Sequence, residues 1–240
     1  MQFHDVAVAV LAFISELLGT LSGFGSSTFF VPAASFLEKF QLVLALTAIL
    51  HCFGNLSKLF LFRRNFEWKT FLSLALPSLI FTGVGALLAG KIESTYLMKG
   101  LGAFLILWSA LYFVRGKDQT RMPVWAAIGL SAVSGFSTGL LGTGGAIRGM
   151  ALASLNIERH AFVMLSSAID FFGDLLRAGI YLESGFMDWS QWYYLPLLGL
   201  AAILGTYLGR HLLGLIDQKK FEKIVALFVF IGGVALLIEV

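Results

Sequence analysis

The sequence predicts an all-α integral membrane protein made of two four-segment repeats. Composition, a series of long apolar runs and an internal duplication carry that prediction. Of the 240 residues, 58% are hydrophobic and only 13% charged, against about 25% charged in ordinary soluble domains. The mean hydropathy is +0.86. In a bilayer every backbone polar group needs a partner within the chain, so helices are the expected spanning elements. The lone Cys52 excludes an internal disulfide. The bases behind the net charge of +3 read as topology signals rather than a nucleic-acid footprint. The opening stretch MQFHDVAVAVLAF lacks the basic n-region of a secretory leader.

A spanning helix needs roughly 20 mostly apolar residues. Such runs lie near 6–37, 41–62, 69–90, 96–114, 123–155, 160–182, 190–212 and 221–238. The first and fifth are too long for one straight span, and glycine interrupts both: GTLSGFGSST from Gly19 to Thr28, and GFSTGLLGTGGA from Gly135 to Ala146. Gly23 and Gly25 stand 119 residues before Gly142 and Gly144, as Pro77 stands before Pro196. ILHCFGNLSK (Ile49 to Lys58) aligns at that offset with AIDFFGDLLR (Ala168 to Arg177). The chain therefore divides into two homologous halves, 1–118 and 119–240. A glycine-interrupted segment at matching places in two halves points to a transporter binding site. GTYLG, from Gly205 to Gly209, reads as a helix-packing pair of small residues.

The basic residues bear on topology. If all eight segments cross once, they split almost evenly between the two faces. If the first and fifth are re-entrant hairpins, Arg63, Arg64, Lys69, Arg115, Lys117, Arg121, Arg159, Arg210, Lys219, Lys220 and Lys223 share one face, and Lys39, Lys91 and Lys99 the other. The positive-inside rule favours the second arrangement. Each repeat is then a hairpin plus three spans, and the repeats are inverted. A single discontinuous helix at each break would make them parallel and leave the bias unexplained.

The charges inside the segments are Glu16, Lys58, Arg148, Asp170, Asp174 and Arg177. Each costs on the order of 3 kcal/mol near the bilayer centre, so each needs a reason. Asp170, Asp174 and Arg177 lie at i, i+4 and i+7, on one helix face. Their counterparts in the first half are His51, Asn55 and Lys58. This duplicated stripe is expected to face the protein interior, with the glycine breaks as its floor. Helix starts at Gly23, Gly25, Gly142, Gly144 and Gly145 would offer N–H groups and partial positive charge to an anion. Ser26, Ser27, Thr28 and Thr143 add hydroxyls, and Arg148 can pair with a carboxylate or sulfur oxyanion. His51 can cycle a proton. The plainer readings are headgroup snorkelling for Lys58 and Arg177, structural ion pairs for Asp170 and Asp174, and a satisfied core histidine for His51. Glu16 aligns with Gly135, so the duplication lends it no support.

GTGGA is not followed by Lys-Ser or Lys-Thr, so it is no phosphate-binding P-loop. His4, His51, His160 and His211 are scattered, which argues against a metal centre. No cofactor and no nucleotide-driven pumping are expected.

GTLSGFGSSTFFVPAASFL (Gly19 to Leu37) resembles the first-repeat signature of the TauE/SafE sulfite-exporter family, and SGFSTGLLGTGGAIRGMALASL (Ser134 to Leu155) resembles the second. The resemblance covers essentially the whole chain. It puts Gly23, Gly25, Pro32, Gly142, Gly144 and Gly145 on signature positions. The first break is poorer in glycine than the signature, and Ala151 stands where the second would repeat Pro32. The resemblance implies a secondary carrier for sulfite, a sulfonate or a similar small anion, not an enzyme. The expected partners are that anion, the lipid bilayer and protons as coupling ion, with no nucleic acid; a homo-oligomer is compatible. The expected location is a cell membrane, crossed several times. An anion channel is the first rival. An intramembrane enzyme resting on Asp170 and Asp174 is the second, and carboxylates on adjacent turns of one helix do not flank a substrate bond.

Overall fold

The computed structural model describes residues 3–22, 25–61, 66–115, 122–155, 157–212, 215 and 217–239. Among these residues ten α-helices follow one another: α1 (Phe3–Ser22), α2 (Ser27–Ala34), α3 (Phe40–Leu61), α4 (Trp68–Ala89), α5 (Ser94–Arg115), α6 (Val124–Leu141), α7 (Gly145–Ala153), α8 (Arg159–Glu183), α9 (Tyr194–Leu212) and α10 (Gln218–Glu239). A single 3-10 turn, Trp189–Gln191, precedes α9. No strand occurs among the described residues.

The long apolar runs are each two helices. The run 6–37 becomes α1 and the short α2, and 123–155 becomes α6 and the short α7. Gly142 ends α6 in the left-handed region, at φ 77°, and its N–H donates to the Thr138 carbonyl at 3.0 Å. Glycine takes that conformation without a Cβ penalty.

Helix pairing is reciprocal across the chain. α1 packs on α9 as α6 packs on α4; α3 packs on α9 as α8 packs on α4; α3 meets α8, and α5 meets α10. Glycine permits the closest approaches. A Cβ at Gly135 or Gly139 on α6 would overlap the Ser78 or Thr82 carbonyl of α4. Gly205 and Gly209 on α9 lie close, though less tightly, against Phe13 and Thr20 of α1, the packing role expected of GTYLG. In lipid such small-residue seams supply the packing that hydrophobic burial supplies in water.

The burial pattern is that of a membrane protein. Leu72, Leu76, Ile80 and Leu87 of α4 are exposed, as are Leu200, Ile203 and Leu204 of α9 and Ile224, Phe228 and Ile231 of α10. Glu16, Asp174 and Arg177 are 0% exposed. Six described helices, α1, α3, α4, α5, α6 and α9, are long and apolar enough to cross a membrane. α8 is longer still, but the charges at Asp170, Asp174 and Arg177 interrupt it.

Candidate functional site

The site grows out of the two breaks. At the second, Ser134 Oγ donates to the Gly144 carbonyl at 2.8 Å and Ser137 Oγ to the Thr143 carbonyl at 2.5 Å. These bonds fold the chain back against the last turns of α6. A Cβ at Gly144 would collide with Thr138 and Ser134, and one at Gly142 would lie 2.8 Å from Leu44 Cδ2. At the first break Gly25 has φ 86°, and Gly19 of α1 lies so close beneath Ser26 that a Cβ would overlap its backbone. Gly23 falls outside the described residues.

The breaks meet. Ser27 Oγ donates to Thr143 Oγ1 at 3.3 Å. Ser26, Ser27, Thr28 and Thr143 are all buried. Gly145, half-buried, opens α7 as Ser27 opens α2, so both short helices begin at the junction. A helix start leaves N–H groups without intrahelical partners.

Beside the junction α3 and α8 bring four of the six stripe residues together. Asp174 Oδ1 accepts from Arg177 Nε at 2.8 Å, and Asp174 Oδ2 from Asn55 Nδ2 at 3.1 Å. His51 Nδ1 lies 3.5 Å from both Asp174 Oδ2 and Arg177 Nη2. His51 Nε2 is buried without a hydrogen-bond partner. Arg177 does not snorkel. It donates through Nη1 to the Thr138 carbonyl at 3.2 Å, one turn before Gly142. Tyr181 adds a 2.5 Å bond to the Gly139 carbonyl.

The other two stripe residues turn elsewhere. Lys58 donates to Glu16 Oε1 at 2.8 Å, across to α1. Glu16, which the duplication did not support, also accepts from Thr206 Oγ1 at 3.0 Å and from Ser26 Oγ at 2.6 Å. Asp170 is held by the Arg148 guanidinium through both carboxylate oxygens. Arg148 Nε reaches Ser166 Oγ at 3.1 Å. Arg148 therefore does not stand open toward the junction: an internal carboxylate already fills its fork. Among the described residues the interior holds three acid–base pairs, two of them between helices and Asp174–Arg177 within α8. No cluster of three or more His, Cys, Asp or Glu able to hold a metal occurs among the described residues.

Sequence reasoning held Glu16 as a weak candidate and missed Tyr181, Ser166 and Thr206. For Glu16 the available signal was an isolated acid in an apolar run.

One mouth of the bundle is polar. Asp5 Oδ1, at the start of α1, accepts from the Tyr193 and Tyr194 hydroxyls at 2.9 Å each, and Tyr194 also reaches Glu38 Oε1, beyond the end of α2, at 3.3 Å. Burial and the Asp5 carboxylate raise the Tyr193 hydroxyl above the usual phenol range. These residues, with His4 and Gln191, line an open cavity of about 530 Å³.

A family model described as Sulfite exporter TauE/SafE matches residues 8–236. No curated protein and no solved structure matches.

Proposed function

The chain belongs to the TauE/SafE sulfite exporter family, and on that premise we propose that it is a proton-coupled secondary transporter for sulfite, a sulfonate or a similar small anion, acting in the cell membrane. The family is one of membrane transporters, not enzymes. The observation that carries the finer reading is the junction of the breaks, where Ser27 Oγ meets Thr143 Oγ1 at 3.3 Å. Two helix starts and several buried hydroxyls converge there. That is the chemistry an oxyanion needs once it has shed water.

We read 1–118 and 119–240 as inverted repeats. The charge bias of the loops supports the inversion, and reciprocal helix pairing supports a two-fold relation between the halves. So does the bond from Asn55 to Asp174, its own counterpart 119 residues on, since contact between equivalent residues belongs on a two-fold axis. Gly23, Gly25, Ser26, Ser27, Thr28, Gly142, Thr143, Gly144 and Gly145 bound the anion, and Arg148 supplies charge when the anion displaces Asp170. Asp174 neutralises Arg177 and Lys58 neutralises Glu16, and the Asn55 amide holds the Asp174 carboxylate in place. His51, whose Nε2 is buried without a hydrogen-bond partner, completes this polar network.

Uptake of sulfite and methanesulfonate into proteoliposomes tests the reading. Arg148→Ala is expected to abolish uptake while leaving the protein folded. Wild-type uptake by that variant removes Arg148 from the site.

A further inference from the structure

Glu16 is a second internal anion, and it sits in a ready-made oxyanion site. Its carboxylate is 0% exposed. It takes an ammonium from α3 (Lys58 Nζ, 2.8 Å), a hydroxyl from α9 (Thr206 Oγ1, 3.0 Å) and a hydroxyl from the first break (Ser26 Oγ, 2.6 Å). One cation and two hydroxyls from three directions is a donor set a sulfonate or sulfite oxygen cluster could equally use. Two glycines clear the space: a Cβ at Gly54 would lie 2.7 Å from Glu16 Oε1, and one at Gly205 3.0 Å from Glu16 Cβ.

The second half has no such arrangement. Gly135 stands at the matching position, pressed against the Ser78 carbonyl. Its break is held by Ser134, Ser137, Arg177 and Tyr181 donating to backbone carbonyls. None of those donors changes charge near neutral pH. The first break is tied through Ser26 to a carboxylate, a group whose charge a proton cancels.

Resting on the transporter reading, we propose that Glu16 is the resident occupant of this site, and that its protonation lets a small oxyanion take its place on Lys58, Ser26 and Thr206. The proton passes from water to a Glu16 oxygen, and no covalent bond to the anion forms. Protonation alone would strand the Lys58 ammonium in the interior, which is costly. Arrival of an anion offsets that cost, so proton and anion binding are linked. The charged and titratable groups facing Glu16 are Lys58 and His51 of α3, with Asp174 and Arg177 of α8 behind His51. α9 presents Thr206 and Gly205, and the break presents Ser26.

Titration calorimetry with methanesulfonate, whose own acid does not titrate near neutral pH, tests this on the purified full chain. Buffers of different ionisation enthalpy report proton uptake. Wild type is expected to take up about one proton per anion bound, with affinity rising about tenfold per unit fall in pH while the carboxyl titrates. Glu16→Gln is expected to bind with no proton uptake and no pH dependence. Thr206→Val is expected to weaken binding several-fold and keep the proton uptake. Anion binding by wild type without proton uptake overturns the inference, whether or not Glu16→Gln folds. Proton uptake that survives Glu16→Gln overturns it too, and returns the proton to His51. If proteoliposomes take up sulfite but methanesulfonate gives no binding heat, the inference alone falls; if they take up no anion, the transporter reading falls with it.

Discussion

Arg177 is wholly buried, and its guanidinium is matched by one carboxylate, Asp174, three residues earlier on the same helix. Asn55 and His51 occupy the other side of that carboxylate. Removing Asp174 would leave a buried cation facing a carbonyl, a ring nitrogen and the Tyr181 hydroxyl, with no carboxylate beside it. Breaking a buried pair by deleting one member typically costs about 3–5 kcal/mol. Asp174→Ala should therefore lower the unfolding temperature sharply in detergent. Replacing both Asp174 and Arg177 with Leu and Met should recover much of the loss. A single variant as stable as wild type would mean that water or another group already compensates Arg177. The i, i+4, i+7 spacing made Asp170, Asp174 and Arg177 legible as one inward face, because helix geometry alone fixes that. It could not say which base each acid would take. Arg148 is 22 residues from Asp170, and Thr206 is 190 from Glu16. Such partnerships arise from the packing of whole helices, and no local period encodes them. The duplication actively misled at Glu16, because the halves depart from symmetry where the first break is tied.

At the scale of elements, the two short helices depend on glycine at some positions and not at others. Gly142 has a left-handed backbone and its missing Cβ faces Leu44. A left-handed conformation costs an ordinary residue roughly 1–2 kcal/mol, and overlap with Leu44 adds to that. Gly149, one turn into α7, has nothing within 4 Å of where a Cβ would stand. There alanine should stabilise the helix by about 0.5–1 kcal/mol. Gly142→Ala is thus expected to lower the unfolding temperature and Gly149→Ala to hold or raise it. The reverse order would mean that the break is not set by the Gly142 conformation. The interruptions themselves were legible, since GFGSST and GLLGTGG sit in runs too long for one span. So were the eight apolar segments, whose limits fall within a few residues of helix ends. Length and hydropathy fix those, because the bilayer sets the span. The seams between helices were less so: GTYLG announces its packing by spacing, whereas Gly135 and Gly139 are read only once α4 lies beside α6.

Over the whole molecule, the path of the chain bears on how transport is organised. Asp5 at the start of α1 and Glu38 beyond α2 both reach Tyr194, so the first broken segment begins and ends at one mouth. The second begins and ends among the apolar residues around Phe66, Phe71, Ala127, Leu152 and Leu155, where α3 gives way to α4. If α3, α4 and α5 each cross once, the two hairpins open toward opposite faces, as inverted repeats require. The basic residues then gather on the face holding the loops before α4 and α10, which the positive-inside rule makes cytoplasmic. Single cysteines at the exposed positions Glu67 and Asp217, in a Cys52→Ala background, should react with a membrane-impermeant thiol reagent from the same face. Cysteines at Glu93 and Asp188 should react from the other. This pattern would leave the anion junction between two oppositely oriented units, able to expose it to either side by moving against each other. Labelling of Glu67 and Asp217 positions from opposite faces would reject inversion, turn both breaks into crossings, and take alternating access between mirrored halves with it.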